Sequence, residues 1–252
     1  MRTSEHISKK LKEKGIRFWS NDNISEEIDG LTSPNGKPIK EALIDETAEE
    51  FEKVLRSLLI DIDTDPNAMG TAKRLSKMYW NEILSGRYEP EPVITAFPNG
   101  DVEWIDFVDT DGFQKKDGRF IQDYDGMLVV RAEIKSVCSH HHKDVNGTAY
   151  IGVLPKDKVI GLSKYIRLAQ WHARRGTLQE ELTKRIAHAI SKVTESPDVG
   201  VYIQATHGCV SCRGVGQENS LTQTTVLLGR FREDKSIKKE FFDKITLQET
   251  RR

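Results

Sequence analysis

Apolar residues recur at helical spacing over three long stretches of the chain and at strand-like spacing over four shorter ones. In IKEALIDETAEEFEKVLRSLLIDI, beginning at Ile39, the residues Ala42, Leu43, Ala48, Phe51, Val54, Leu55, Leu58 and Leu59 follow a 3.6-residue repeat and predict a long helix. GTAKRLSKMYWNEILSG places Leu75, Met78, Tyr79 and Ile83 on a second helix that Gly86 would close. KVIGLSKYIRLAQWHARRGTLQEELTKRIAHAISKV carries Leu162, Tyr165, Ile166 and Ala169, then Leu178, Leu182, Ile186, Ala189 and Val193, with Gly176 marking a joint between two helices. SIKKEFFDKI predicts a short last helix.

Strand-prone text falls at MLVVRAEIKSV (127–137), TAYIGVLP (148–155), VYIQATHGCV (201–210) and LTQTTVLLGRF (221–231). The second half thus reads strand, strand, long helical segment, strand, strand. That order predicts an α+β fold, an antiparallel sheet covered on one side by helices. Ahead of it, residues 1–38 form a polar extension rich in turn residues, expected to be weakly ordered or to dock late. A helical N-terminal region and connection occupy 39–120, the sheet domain 121–245, and a polar tail 246–252.

Composition narrows the classes. The chain has 252 residues, 37% hydrophobic and 31% charged, with 38 basic against 39 acidic side chains and a formal charge of -1. No apolar run approaches the roughly 20 residues that span a bilayer, and MRTSEHISKKLKEKG lacks the apolar core of a secretory signal, so a cytoplasmic protein without membrane partners is expected. A near-neutral balance without interleaved aromatics argues against nucleic acid as partner. The three cysteines, at 138, 209 and 212, do not form a disulfide framework.

The chemistry concentrates in SVCSHHH (136–142) and ATHGCVSC (205–212). Cys138 with His141, and His207 with Cys209, offer thiolate and imidazole donors from two elements that can lie side by side, a set suited to zinc. Three readings stay open: buried thiols beside a polar turn; a closed structural site of Cys138, His141, Cys209 and Cys212; and a three-ligand site of Cys138, His141 and Cys209 that keeps one position for water. If residues 201–212 run extended, Cys209 and Cys212 point to opposite faces, which favours three ligands and leaves His140 and His207 as nearby proton carriers. Ser163, Lys164 and Arg167 at a helix start are either a polyanion seat, with Arg213, Lys73 and Arg74 as further cations, or the ordinary charges of a solvated helix start, the commoner case for this pattern alone. Glu180 is either an exposed helix acid, again the commoner case, or a carboxylate that accepts two N–H groups from a guanine edge.

SVCSHHHKDVNG, YIGVLPKDKVIGLSKYIR, RRGTLQEELTKRIAHAI, ATHGCVSCRGV and LLGRFRED, in this order, resemble GTP cyclohydrolase I. The likeness starts near ALIDETAEEFEKVL, runs through DPNAMGTAKRLSKMYWNEILSG and YDGMLVVR, and reaches about residue 245. It implies the T-fold, with two helices behind an antiparallel sheet, and a toroidal decamer whose pockets lie at subunit boundaries. By motif, Cys138, His141 and Cys209 fall on zinc ligands and His140 and His207 on proton-handling histidines. Ser163, Lys164, Arg167, Arg213 and Arg74 fall on phosphate-binding positions, Gln179 and Glu180 on the guanine-recognising pair. The implied reaction opens the guanine imidazole ring of GTP and forms 7,8-dihydroneopterin triphosphate, a step toward tetrahydrofolate.

Departures from the family pattern are Ser139 where a glutamate is usual, His142, Lys143 and Asp144 in place of apolar residues, and Cys212 at a small or apolar position. Thr71–Ala72 replaces Thr-Pro, and Gly176–Thr177 replaces Leu-Gln. They leave room for a preference for dGTP, a role in 7-deazaguanine synthesis, a redox-sensitive site at Cys212, or a non-catalytic protein with a closed zinc site.

Overall fold

The computed structural model describes residues 2–17, 22–34, 36–103, 107–108, 114–115, 119–122 and 124–250. Of the turn-rich connection between 89 and 126, residues 104–106, 109–113, 116–118 and 123 lie outside them. The chain divides into two compact units, the first made of Met1–Glu91, Lys135–Asp144 and Trp171–Leu178, the second of Pro92–Ile134, Val145–Gln170 and Gln179–Arg252.

The first unit is helical. It contains α1 (Thr3–Glu13), α2 (Ser25–Ile28), α3 (Ile39–Ser57), α4 (Thr71–Met78), a π-helical turn at Tyr79–Ile83 and α5 (Ser85–Tyr88). Ile7, Leu11, Ile24 and Ile28 are buried in one cluster with Ile39 and Leu43, so the polar start of the chain carries ordered helices on α3. An 11-residue helix does not persist alone in water. Burial of each such aliphatic side chain, about 1.5–3 kcal/mol, is what holds it.

Helix α3 stops earlier than its apolar pattern suggests. Ser57 is its last residue, and Leu58 and Leu59 are exposed, Leu59 in the left-handed region at φ 59°. Gly86 does not end a long helix either. It sits inside the short α5, where a Cβ would collide with the Trp171 carbonyl, and its N–H donates to the Arg174 carbonyl at 2.9 Å. The missing side chain there serves close backbone approach.

The second unit carries the sheet. Strands β1 (Ala96–Pro98), β2 (Gly100–Glu103), β3 (Phe107–Val108), β4 (Gln114–Lys115) and β5 (Arg119–Gln122) form small pairings, β2 with β5 and β3 with β4. β6 (Leu128–Val137), β7 (Asp144–Val153), β9 (Val199–His207) and β10 (Thr222–Leu227) make a four-stranded sheet in the order β10-β9-β7-β6, and β8 (Lys158–Ile160) pairs with β1. β9 runs antiparallel to both neighbours, with Ala149 opposite Ile203 and Thr224 opposite Ile203 on the other side.

Helices α6 (Leu162–Ala173) and α7 (Gln179–Thr194) are separated at Gly176, whose φ of 66° only glycine adopts freely. α7 lies behind the face of Ile203 and Thr224. This is the α+β architecture that the pattern predicts and the T-fold that the resemblance implies, with a helical N-terminal region ahead of the antiparallel sheet. The opposite face is also covered. After α8 (Gly208–Ser211) and α9 (Arg230–Glu233), α10 (Lys235–Glu249) packs Phe241 and Ile245 with Tyr150 and Phe231. Gly152 and Gly200 are cross-strand partners, and a Cβ on either would strike the Phe231 ring. α10 is longer than the short helix expected, and Tyr150 donates to its Glu249 at 3.1 Å. Among the described residues no helix is long and apolar enough to cross a membrane.

Candidate metal centre and nucleotide site

Alternation along β6 ends with Ser136, Val137 and Cys138 all buried. The Ser136 hydroxyl donates to the Ala173 carbonyl at 2.6 Å. The chain then reverses: Cys138 N–H donates to the Lys143 carbonyl at 2.9 Å and His142 N–H to the Cys138 carbonyl at 2.8 Å. His142 takes the left-handed conformation, φ 50°, and its ring lies 5.6 Å from that of Tyr79. This closed turn, which the sequence placed between two neighbouring strands, leaves His140 and His141 exposed while Cys138 stays buried.

β9 ends at His207 and turns at once into the helical α8, so Cys209 lies on a turn of helix and not on an extended strand. The strand expected over 201–210 therefore ends at His207, and the condition that 201–212 runs extended is not met; Gly208 is where the backbone changes. Cys138 Sγ, a ring nitrogen of His141 and Cys209 Sγ all lie within 4.8 Å of one another. Cys212 stands outside this group, exposed, with its sulfur 3.5 Å from Ser211 Oγ. Two thiols and one imidazole are a donor set that fits zinc, and fits the hard, oxygen-preferring cations poorly.

His207 Nε2 lies 2.7 Å from Gln179 Oε1. Burial holds the His207 imidazole below its ordinary pKa, and the Glu180 carboxylate pulls partly the other way. Gln179 is buried, whereas Glu180 on the next position of α7 is exposed. Ser163 and Arg167 are exposed on the first turns of α6 with Lys164 half-buried between them, and Arg213 is exposed after Cys212. Arg74 is exposed on α4 and donates to Thr71 Oγ1 at 2.9 Å. Sequence reasoning passed over Thr183 and Thr224, whose hydroxyls lie 2.7 Å apart beside Gln179. The only signal was a threonine four residues after Gln179, one helical turn away on the same face.

A sheet backed by paired helices, with two thiols and an imidazole gathered from the ends of its strands, defines a T-fold protein with a transition-metal donor set. The sequence profile described as GTP cyclohydrolase I matches residues 48–246. The chain is 34% identical over 223 residues to GTP cyclohydrolase 1 of Aeromonas salmonicida, covering 85% of this chain and 90% of that one. It is 36% identical over 202 residues to GTP cyclohydrolase 1 of Alkalilimnicola ehrlichii, covering 79% and 98%. A third relative, GTP cyclohydrolase 1 of Campylobacter curvus, is 34% identical over 199 residues, covering 78% and 95%. The chain belongs to the GTP cyclohydrolase I family.

Proposed function

We propose that the chain is a zinc-dependent GTP cyclohydrolase I of pterin biosynthesis. It hydrolyses the guanine imidazole ring at C8, releases formate and, after an Amadori-type rearrangement of the ribose, recloses a six-membered ring as 7,8-dihydroneopterin triphosphate. Family membership supports cyclohydrolase activity on a nucleotide by an oligomeric enzyme. The observation that carries the finer reading is the gathering of Cys138, His141 and Cys209 with Cys212 left outside, because three ligands leave a tetrahedral ion one open position.

Cys138, His141 and Cys209 would hold the zinc. When bound, it supplies Lewis acidity and lowers the pKa of a coordinated water toward neutrality. The rest falls to side chains. His207 or His140 protonates the ring nitrogen as the C8–N9 bond opens, an imidazole being suited to proton exchange near pH 7. Ser163, Lys164, Arg167 and Arg213 hold the triphosphate, with Arg74 as a further cation, and this anchoring orients C8. The Glu180 carboxylate accepts N–H groups of the guanine edge, with Gln179 beside it by motif. Assembly as a homodecamer with pockets at subunit boundaries belongs to the same reading.

The test uses zinc-loaded protein with GTP and dGTP in separate reactions, following formate and the fluorescence of oxidised pterin. Formate release that disappears on chelation and returns with zinc is expected. Release unchanged after zinc is stripped overturns the proposal.

A further inference from the structure

Gln179 opens α7 and is 3% exposed. Its amide nitrogen lies 3.2 Å from the Ile203 carbonyl, 3.1 Å from the Thr222 carbonyl and 3.1 Å from Thr224 Oγ1. Carbonyl oxygens only accept, so the NH2 group must face them and the amide cannot be turned over. Its Oε1 is thereby the atom that meets His207 Nε2 at 2.7 Å. An amide oxygen also only accepts. The proton of that bond must therefore sit on Nε2, and in the neutral imidazole Nδ1 keeps the lone pair.

The hydroxyls behind the amide have fixed directions too. Thr183 Oγ1 gives its single hydrogen to the Gln179 main-chain carbonyl at 2.7 Å. The 2.7 Å contact between Thr183 and Thr224 must then be donated by Thr224, whose oxygen remains to accept from Gln179. Every donor from Thr224 to His207 thus has one direction. The two amide hydrogens are shared among three acceptors, and a network whose donors all point one way holds its members in one arrangement.

We propose that Gln179 is a positioning residue for His207: its buried amide, oriented by Thr224, Thr183 and two strand carbonyls, fixes the ring on the Nε2–H tautomer and leaves Nδ1 as the atom for proton transfer. This rests on the reading of His207 as a proton-handling group. It also departs from the role that family resemblance implies for Gln179, since both amide hydrogens are taken by acceptors of the chain itself. Recognition of the guanine edge then falls to the exposed carboxylate of Glu180.

Two measurements on the zinc-loaded full-length protein test it. The first is steady-state kinetics with GTP. Gln179→Leu should lower kcat about 10- to 100-fold, the range for losing a hydrogen-bond partner that orients a functional histidine, with KM for GTP changed less than about twofold. Thr224→Val still leaves one strand carbonyl for each of the two amide hydrogens, so the amide keeps its orientation and kcat should fall less than about threefold. If Gln179 reads the base instead, Gln179→Leu raises KM at constant kcat, which overturns the proposal. The second is the 15N spectrum of the His207 ring, identified by its absence in His207→Asn. A protonated Nε2 and bare Nδ1 are expected in the neutral ring; the reverse pattern overturns the proposal even if GTP is not turned over. A zinc-loaded wild type that releases no formate but shows the expected spectrum rejects the functional reading and upholds the tautomer.

Discussion

Around Gln179 and His207 the polar atoms are buried or half-buried and bonded to one another, whereas Ser163, Arg167 and Arg213 stand exposed, with no ion pair to an acid among the described residues. Under the proposed function, the difference follows from what each region would handle. Proton transfer needs one ring nitrogen in one orientation, so its surroundings are fixed in advance by strand carbonyls and threonine hydroxyls. A triphosphate arrives with its own charge and is held by long side chains that can stay hydrated until it binds. The first region is sensitive to geometry, the second to charge.

Substitutions should separate the two. Cys209→Ala removes a proposed metal ligand and should lower kcat/KM for GTP on the order of ten-thousandfold, about 5.4 kcal/mol, with zinc lost by elemental analysis and the circular dichroism retained. His207→Ala should lower kcat about a thousandfold, within the range for general acid–base catalysis, while zinc content stays at that of the wild type. Equal losses of zinc in both variants would merge the proton carrier with the ligand set. Glu180→Gln presents N–H where a carboxylate accepted, and kcat/KM should fall about a hundredfold, roughly 2.7 kcal/mol. Arg167→Ala should raise KM for GTP about tenfold with kcat nearly constant, the scale of one hydrogen bond to a charged group. Raising the salt concentration should weaken GTP binding in the wild type more than in Arg167→Ala. A kcat loss in Arg167→Ala larger than in His207→Ala would reverse the assignment of the two regions.

Much of this was legible in the sequence. β7 is buried on both faces over most of its length while β6 and β10 alternate buried or half-buried with exposed positions, and α6 and α7 carry a 3.6-residue stripe broken at one glycine, so the sheet and its helices follow from local pattern. The turn joining β6 and β7 was legible for the same reason. Cys209 was not placed correctly, because four residues of helix after a strand leave no periodic trace. Ile7 and Leu11 are too few in a charged stretch to announce a buried helix; their partners Ile39 and Leu43 lie far along the chain. The role of Gln179 was invisible for a related reason. Its acceptors come from β9 and β10, which lie beyond the end of α7, and nothing beside it in sequence says that its amide will be spoken for.

The paired Gly152 and Gly200 leave a bare strip across two strands into which Phe231 is set, with Phe241 against Gly152. Strand and C-terminal helix are thereby matched like socket and plug. A larger residue at either glycine must evict an aromatic ring, so these positions can change only in concert with the phenylalanines that fill them.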